Sequence, residues 1–212
     1  MELLAISIGR VRELDYGRRR IATGIYKEPV AGPARVTTLG IEGDVQVDRE
    51  NHGGPDKAIY AYTIENCRFW EQELGCGSLP FGEFGENLTV SGMPDEAVHI
   101  GDVFRIGTVL VQVTQPRVPC FKLGIKMGNP SFVARFRRSG RVGFYLRVLE
   151  EGELKAGVAI SRIAEDLEKL DIRSAMLAID KGPRQQEIIA RALKIAALSD
   201  AWRNDLTGRR SG

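Results

Sequence analysis

Apolar and polar residues alternate with a short period over most of the chain, and the period lengthens after Ile163. Leu3 to Val11 and Ile21 to Tyr26 read as strands around a turn at Asp15-Tyr16-Gly17, and Ala34 to Leu39 as a third. Ala58 to Thr63 returns to strand, Ile64 to Leu74 carries helical spacing, and a strand through Leu88-Thr89-Val90 follows a glycine-rich passage. His99 to Thr114 predicts a hairpin closed near Gly107. Phe121 to Met127 and Ser131 to Arg138 predict short helices broken at Asn129-Pro130. Gly143 to Leu149 and Gly157 to Ile163 complete the strands, with a turn at Glu151-Gly152. Beyond them Asp171 caps a helix over Ile172 to Ile179, Pro183 opens one running to about Leu198, and Ser199 caps a third. Many short strands with closely spaced turns favour a mainly β barrel or sandwich with peripheral helices over a doubly wound sheet. The expected division is a β-barrel domain over residues 1–164 and a small C-terminal three-helix motif over residues 165–212.

The strand Val109 to Thr114 runs into Gln115-Pro116-Arg117-Val118-Pro119-Cys120-Phe121-Lys122-Leu123. Two prolines stiffen the approach to Cys120, and helical spacing resumes just after it. A thiol at such a junction, between Arg117 and Lys122 and near the N–H groups of a new turn, has its thiolate favoured by charge and dipole together. Cys120 is therefore a candidate nucleophile or metal ligand; the alternative is a small buried hydrophobe.

A second candidate lies in the polar, glycine-punctuated segment from Gly40 to Lys57, which is too long for a hairpin turn. There His52 precedes Gly53 and Gly54, whose backbone can approach a ligand and present N–H groups, and Lys57 closes the segment. His99, between Val98 and Ile100, reads instead as a structural side chain. If these loops converge, Cys120, His52, Lys57, Arg117 and Lys122, with Arg49 and Asn87, line a pocket suited to a polyanionic ligand with a metal at one end. From spacing alone, Asp48, Arg49 and Glu50 read first as solvated loop surface.

Composition narrows the classes. With 43% apolar and 27% charged residues and a mean hydropathy of −0.17, the chain has ordinary globular composition. A net charge of +2 is too small to argue for a nucleic-acid binder. Three cysteines without a Cys-x-x-Cys pair supply no zinc or iron–sulfur ligand set; Cys67 falls on a helical apolar stripe and Cys76 in a turn between glycines. With no apolar leader and no stretch of about 18 apolar residues, no membrane segment is expected, and a reducing compartment, the cytoplasm, is. Neither Gly-x-Gly-x-x-Gly after a strand nor a Walker loop occurs.

The ordered set Gly40-Ile41-Glu42-Gly43-Asp44, His52-Gly53-Gly54-Pro55-Asp56-Lys57-Ala58, Phe84-Gly85-Glu86-Asn87-Leu88, Gly101-Asp102 and Gln115 to Leu123 resembles the MOSC domain family over nearly the whole chain, and most closely its stand-alone YiiM-like branch. The resemblance implies a β-barrel with a C-terminal three-helix motif. It also implies a molybdenum cofactor (Mo-molybdopterin), a phosphorylated pterin whose dithiolene holds the metal, with Cys120 as the protein ligand. Family members of this type reduce N-hydroxylated bases such as 6-hydroxylaminopurine, with electrons from a separate flavoprotein. On that basis Arg117, Lys122, Lys57, Arg49, Asn87, Gly53 and Gly54 are expected to bind the cofactor. His52 is expected either to anchor it or to deliver a proton to the leaving hydroxyl. Sulfur carriage on a Cys120 persulfide and a non-catalytic barrel that binds an anionic ligand are the alternative readings. The helical appendage has three uses open to it: covering the body, seating the electron donor, or joining a homodimer.

Overall fold

The computed structural model describes residues 1–47, 53–179 and 185–208. The main sheet among the described residues has eight strands in the order β13 (Ile160–Ala164), β9 (Val103–Ile106), β10 (Val109–Pro116), β11 (Phe144–Glu150), β7 (Ile59–Thr63), β8 (Leu88–Ser91), β1 (Glu2–Gly9), β4 (Lys27–Pro29). Two small sheets flank it: β12 (Gly152–Leu154) with β5 (Ala34–Thr37) and β6 (Gly40–Ile41), and the hairpin of β2 (Arg12–Tyr16) with β3 (Arg19–Thr23). All neighbours in the main sheet run antiparallel except β7 and β8. All five residues of β7 are buried, as expected for a central strand covered on both faces, which explains its unbroken apolar run.

The sheet is not closed into the barrel expected from the sequence. β1 divides its free edge: Ser7 to Gly9 pair with β4, and only the first residues of the chain reach the start of β13 and the segment before it. There Leu3 N–H donates to Val158 O (3.0 Å), Gly157 N–H to Leu3 O (2.7 Å) and Ile160 N–H to Met1 O (2.9 Å), around one isolated bridge between Glu2 and Ala159. Closure would need a ladder along that whole edge, and β4 already occupies half of it.

Helix α1 (Ile64–Leu74) ends where the sequence predicts, at Gly75 in the left-handed region, whose N–H bonds Gln72 O at 3.2 Å. Its buried Trp70 meets Phe132 and Phe136 of α3 (Phe132–Ser139) at centroid distances of 4.9 and 5.6 Å, and Phe136 packs in turn on Phe84 and Tyr62. Between them α2 (Phe121–Lys126) is a short six-residue helix. The segment Glu151-Gly152 read as a turn is strand at its second residue: β12 pairs with β5 and positions Glu153 O to accept from the Thr108 hydroxyl.

The C-terminal helices are α4 (Ile172–Leu177), α5 (Gln185–Lys194) and α6 (Asp200–Thr207). Asp171 caps α4 by accepting from Ser174 N–H at 2.8 Å, and Ser199 caps α6 by accepting from Trp202 N–H at 3.1 Å. Ser199 Oγ also donates to Gln115 Oε1 (2.5 Å), while its N–H bonds Thr114 O (3.3 Å), so the helical segment is pinned to the end of β10. Ile195, Leu198 and Trp202 are buried in the same apolar cluster as the sheet. These contacts cover the body's own surface. Among the described residues no helix is long and apolar enough to cross a membrane.

Candidate functional site

A cavity of about 610 Å³, counting its open mouth, lies where β7 and β11 meet the loops that follow β3, β6 and β10. Its inner wall is a closed hydrogen-bond network. Asn87, buried just before β8, accepts from Tyr60 N–H at 3.1 Å and donates to Ser7 O at 3.3 Å and Asp44 Oδ2 at 2.9 Å. Asp44 Oδ1 in turn accepts from Gly9 N–H at 2.7 Å and from Lys27 Nζ at 2.5 Å, in a pair whose side chains are almost fully enclosed. Burial pulls the Lys27 ammonium below its ordinary pKa, and Asp44 opposes that pull. Behind the wall Glu86 accepts from the N–H groups of Gly82 and Phe84, at 2.7 and 3.0 Å; burial raises its carboxyl and those bonds offset part of the rise. The backbone is equally tight here: a Cβ on Gly24 would stand 2.3 Å from Val45 O.

The deep end differs. Arg117 is 4% exposed, and its guanidinium lies over the rings of Tyr60 (5.5 Å) and Phe136 (5.6 Å). Its charge also acts on Tyr145, whose hydroxyl pKa burial raises and Arg117 partly lowers. Among the described residues its Nη1 nevertheless has no hydrogen-bond partner. Tyr60 donates its hydroxyl to Val142 O at 2.7 Å and is held well above the usual phenol range by burial, so it supplies no counter-charge. A buried guanidinium nitrogen without an acceptor costs several kcal/mol by the ordinary scale, and an anion in the cavity removes that cost.

Cys120, half-buried, also lines the cavity. Cys120 is extended and caps α2, its carbonyl accepting from Leu123 N–H at 3.0 Å. Lys122, one residue into that helix's first turn, and Lys57, at the end of the 3-10 turn Pro55–Lys57, complete the lining. The turn is anchored from outside by Asp56, which accepts two bonds from Arg147 at 2.8 and 2.6 Å.

Of the residues singled out in the sequence, the structure therefore gathers Cys120, Arg117, Lys122, Lys57 and Asn87 around one space. Gly53 is half-buried, and Gly54, at φ +88°, caps the 3-10 turn and lines a neighbouring hollow that shares Asp44 and Gln46 with the cavity. His52, Arg49 and Asp48 lie outside the described residues. His99 is not in the lining; its Nδ1 stands 3.5 Å from Asp102 and from Glu165. Sequence reasoning missed Lys27, Tyr60 and Tyr145. The two tyrosines read as ordinary strand residues, and Lys27 has no local signal, because its role arises from pairing with Asp44 across 17 positions.

Among the described residues the cations Lys27, Lys57, Arg117 and Lys122 share the lining with one carboxylate, Asp44, which Lys27 already engages. That balance fits a phosphorylated, anionic group. Among the described residues no cluster of three His, Cys, Asp or Glu side chains is arranged to cage a metal ion. The donor set at Cys120, one thiol among cations, fits a metal that brings most of its ligands with it.

Sheet, helices and cavity together define a β-sheet protein that presents a single cysteine beside a buried, anion-seeking arginine. The chain belongs to the MOSC domain family, whose model matches residues 48–161. MOSC domains generally bind the molybdenum cofactor. The chain is 40% identical over 201 residues to the Bacillus subtilis protein YflK, covering 95% of this chain and 90% of that one. It is 32% identical to the Escherichia coli protein YiiM over 95% of this chain and 89% of that one. The crystal structure of YiiM from Geobacillus stearothermophilus superposes with a TM-score of 0.80 at 31% identity and covers 99% of both chains. A Gibberella moniliformis protein named "Reductase" is 33% identical over 84% of this chain, which spans 32% of that protein's length. These similarities support a MOSC-type function of the YiiM-like branch.

Proposed function

We propose that this protein is a molybdenum-cofactor-dependent reductase of N-hydroxylated compounds such as 6-hydroxylaminopurine, fed with electrons by a separate flavoprotein. The observation that carries the reading is the uncommitted Nη1 of buried Arg117 in the same cavity as Cys120. The net reaction is R–NHOH + 2e⁻ + 2H⁺ → R–NH2 + H2O. When bound, the cofactor supplies a metal centre that passes an electron pair to the N–O bond.

The chain's own residues do the rest. Arg117, Lys57 and Lys122 hold the anionic pterin phosphate through charge-assisted hydrogen bonds. Cys120 is the protein's ligand to the metal, and the cations beside it favour its thiolate. Asn87 holds Asp44, and Asp44 holds Lys27, which keeps the wall rigid without spending a donor on the ligand. Tyr145 keeps its phenolic proton and offers a neutral donor at the cavity wall. His52, at the head of the Gly53-Gly54 segment, is assigned either to the pterin or to the proton that leaves with the hydroxyl. Likeness to part of the longer Gibberella moniliformis protein named "Reductase" supports the oxidoreductase class. The absence of a flavin, nicotinamide or iron–sulfur motif in this sequence supports a separate donor.

The test is turnover of 6-hydroxylaminopurine by protein made in a molybdenum-replete host, with a reduced viologen as donor. Conversion to 6-aminopurine with viologen, and none with NADPH alone, is expected. Metal-loaded protein that converts no N-hydroxylated compound would contradict the reading. An intact mass showing added, thiol-releasable sulfur on Cys120 would replace it with sulfur carriage.

A further inference from the structure

The hairpin of β2 and β3 pairs with no other strand among the described residues and projects from the cavity wall. Its base is narrow: a Cβ on Gly9 would stand 2.3 Å from Gly24 O. Its tip is the two-residue turn Gly17-Arg18, with Gly17 at φ +61° in the position that a type II′ turn reserves for glycine. Register sets Tyr16 opposite Arg19, Leu14 opposite Ile21 and Arg12 opposite Thr23, so these six side chains share one face. Thr23 is buried in the cavity lining and Leu14 and Ile21 are half-buried, so that face turns inward. The opposite face carries Glu13, Asp15 and Arg20, paired with one another at 3.3 and 3.6 Å in solvent.

At its far end the inward face meets α2. The Tyr16 ring contacts the Phe121 ring with centroids 5.1 Å apart and planes at 40°. Phe121 stands between Cys120 and Lys122, both of which line the cavity. The two rings are still 50% and 44% exposed, and Val118 beside them is 37% exposed. A single exposed aromatic needs no explanation, but two in contact, one of them set between two residues of the cavity lining, present adjoining rings to water.

Resting on the reductase reading, we infer that Tyr16 and Phe121 form a selective lip that stacks the planar aromatic or heteroaromatic ring of the N-hydroxylated substrate at the cavity mouth. Ring stacking rewards flatness. The lip therefore discriminates a planar ring from a saturated ring of the same size, which presents no π-face.

Steady-state kinetics of the metal-loaded enzyme with a viologen donor, on phenylhydroxylamine and cyclohexylhydroxylamine, tests this. Tyr16→Ala and Phe121→Ala are each expected to raise KM for the planar compound about five- to tenfold, with kcat little changed, and to move KM for the saturated one less than about twofold. Tyr16→Phe keeps the preference, and Arg20→Ala, on the outer face, changes neither substrate. Unchanged KM values, or equal rises for both compounds, would overturn the lip. A second arm needs no turnover: calorimetric binding of 6-aminopurine to the purified wild type, expected to weaken by a similar factor in both alanine variants. If no N-hydroxylated compound turns over but that contrast holds, the reductase reading falls and the lip stands. If wild type does not bind the base, or the variants bind it equally, the lip falls.

Discussion

Asn87 and Arg117 are both buried, both polar and both part of one cavity wall, yet they are opposite cases. Asn87 has its carbonyl and its amide committed to Tyr60, Ser7 and Asp44, so its bonding capacity is turned inward. Arg117 reaches the same depth over two aromatic rings and leaves Nη1 unanswered. The contrast extends to their surroundings. Around Asn87 the loops after β1, β3 and β6 are locked by short backbone and side-chain bonds; around Arg117 the described lining consists of a half-buried thiol, two lysines and two tyrosines. A polar group that is satisfied by the fold builds the wall, and one that is left for a ligand marks what the wall is for.

Substitutions can widen or close that contrast. Asn87→Ala should destabilise the protein by about 2–4 kcal/mol in urea unfolding, because Tyr60 N–H and Asp44 lose buried partners together. A smaller but directional effect belongs to Asp95, also in the scaffold, which accepts from Asn66 and from the N–H groups of Val142 and Gly143. Burial raises its carboxyl to about 6, against those bonds. The folded state therefore binds the proton more tightly than the unfolded one, and the stability this gives is full below about pH 4 and lost as pH rises toward 6. The stability difference between wild type and Asp95→Asn should fall by about 2–3 kcal/mol between pH 4 and 7. A difference that stays level across that range would show that the carboxyl is not held protonated.

Arg117→Met should be neutral or stabilise the protein by up to about 3 kcal/mol, since an apolar replacement on an aromatic bed removes an uncompensated buried charge. Pyrophosphate binding to the cofactor-free protein, read by calorimetry, should weaken about tenfold or more. If Arg117→Met unfolds as readily as Asn87→Ala, the two residues are alike and the contrast fails. Lys122→Ala, at a half-exposed position, should weaken the same binding only about twofold to fivefold.

Local chemistry was legible in the sequence and long-range pairing was not. The α1 helix, its glycine stop and the Asp171 and Ser199 caps follow from residues within one turn of each other, and the structure has them in place. The Arg117, Cys120, Lys122 group was legible because β10 delivers all three in one stretch. The β2–β3 hairpin is blurred because charged residues on both faces hide its alternation. Asp15-Tyr16-Gly17 reads as a turn and Ile21 to Tyr26 as one strand, whereas β2 runs through Tyr16 and β3 ends at Thr23; the Tyr16–Phe121 contact has no local signal. Likewise the open seam between β1 and β13 depends on how β1 shares its edge with β4, a competition that no local pattern encodes. Lys27 remained invisible for the same reason.

The central claim is that the Cys120 sulfur holds a metal in the cavity, and the molybdenum content of Cys120→Ala beside that of the wild type, both purified from one molybdenum-replete host, tests it most directly. Close to stoichiometric metal in the wild type and background levels in a variant with an unchanged circular dichroism spectrum are expected. A variant that retains the wild-type metal content would contradict the account.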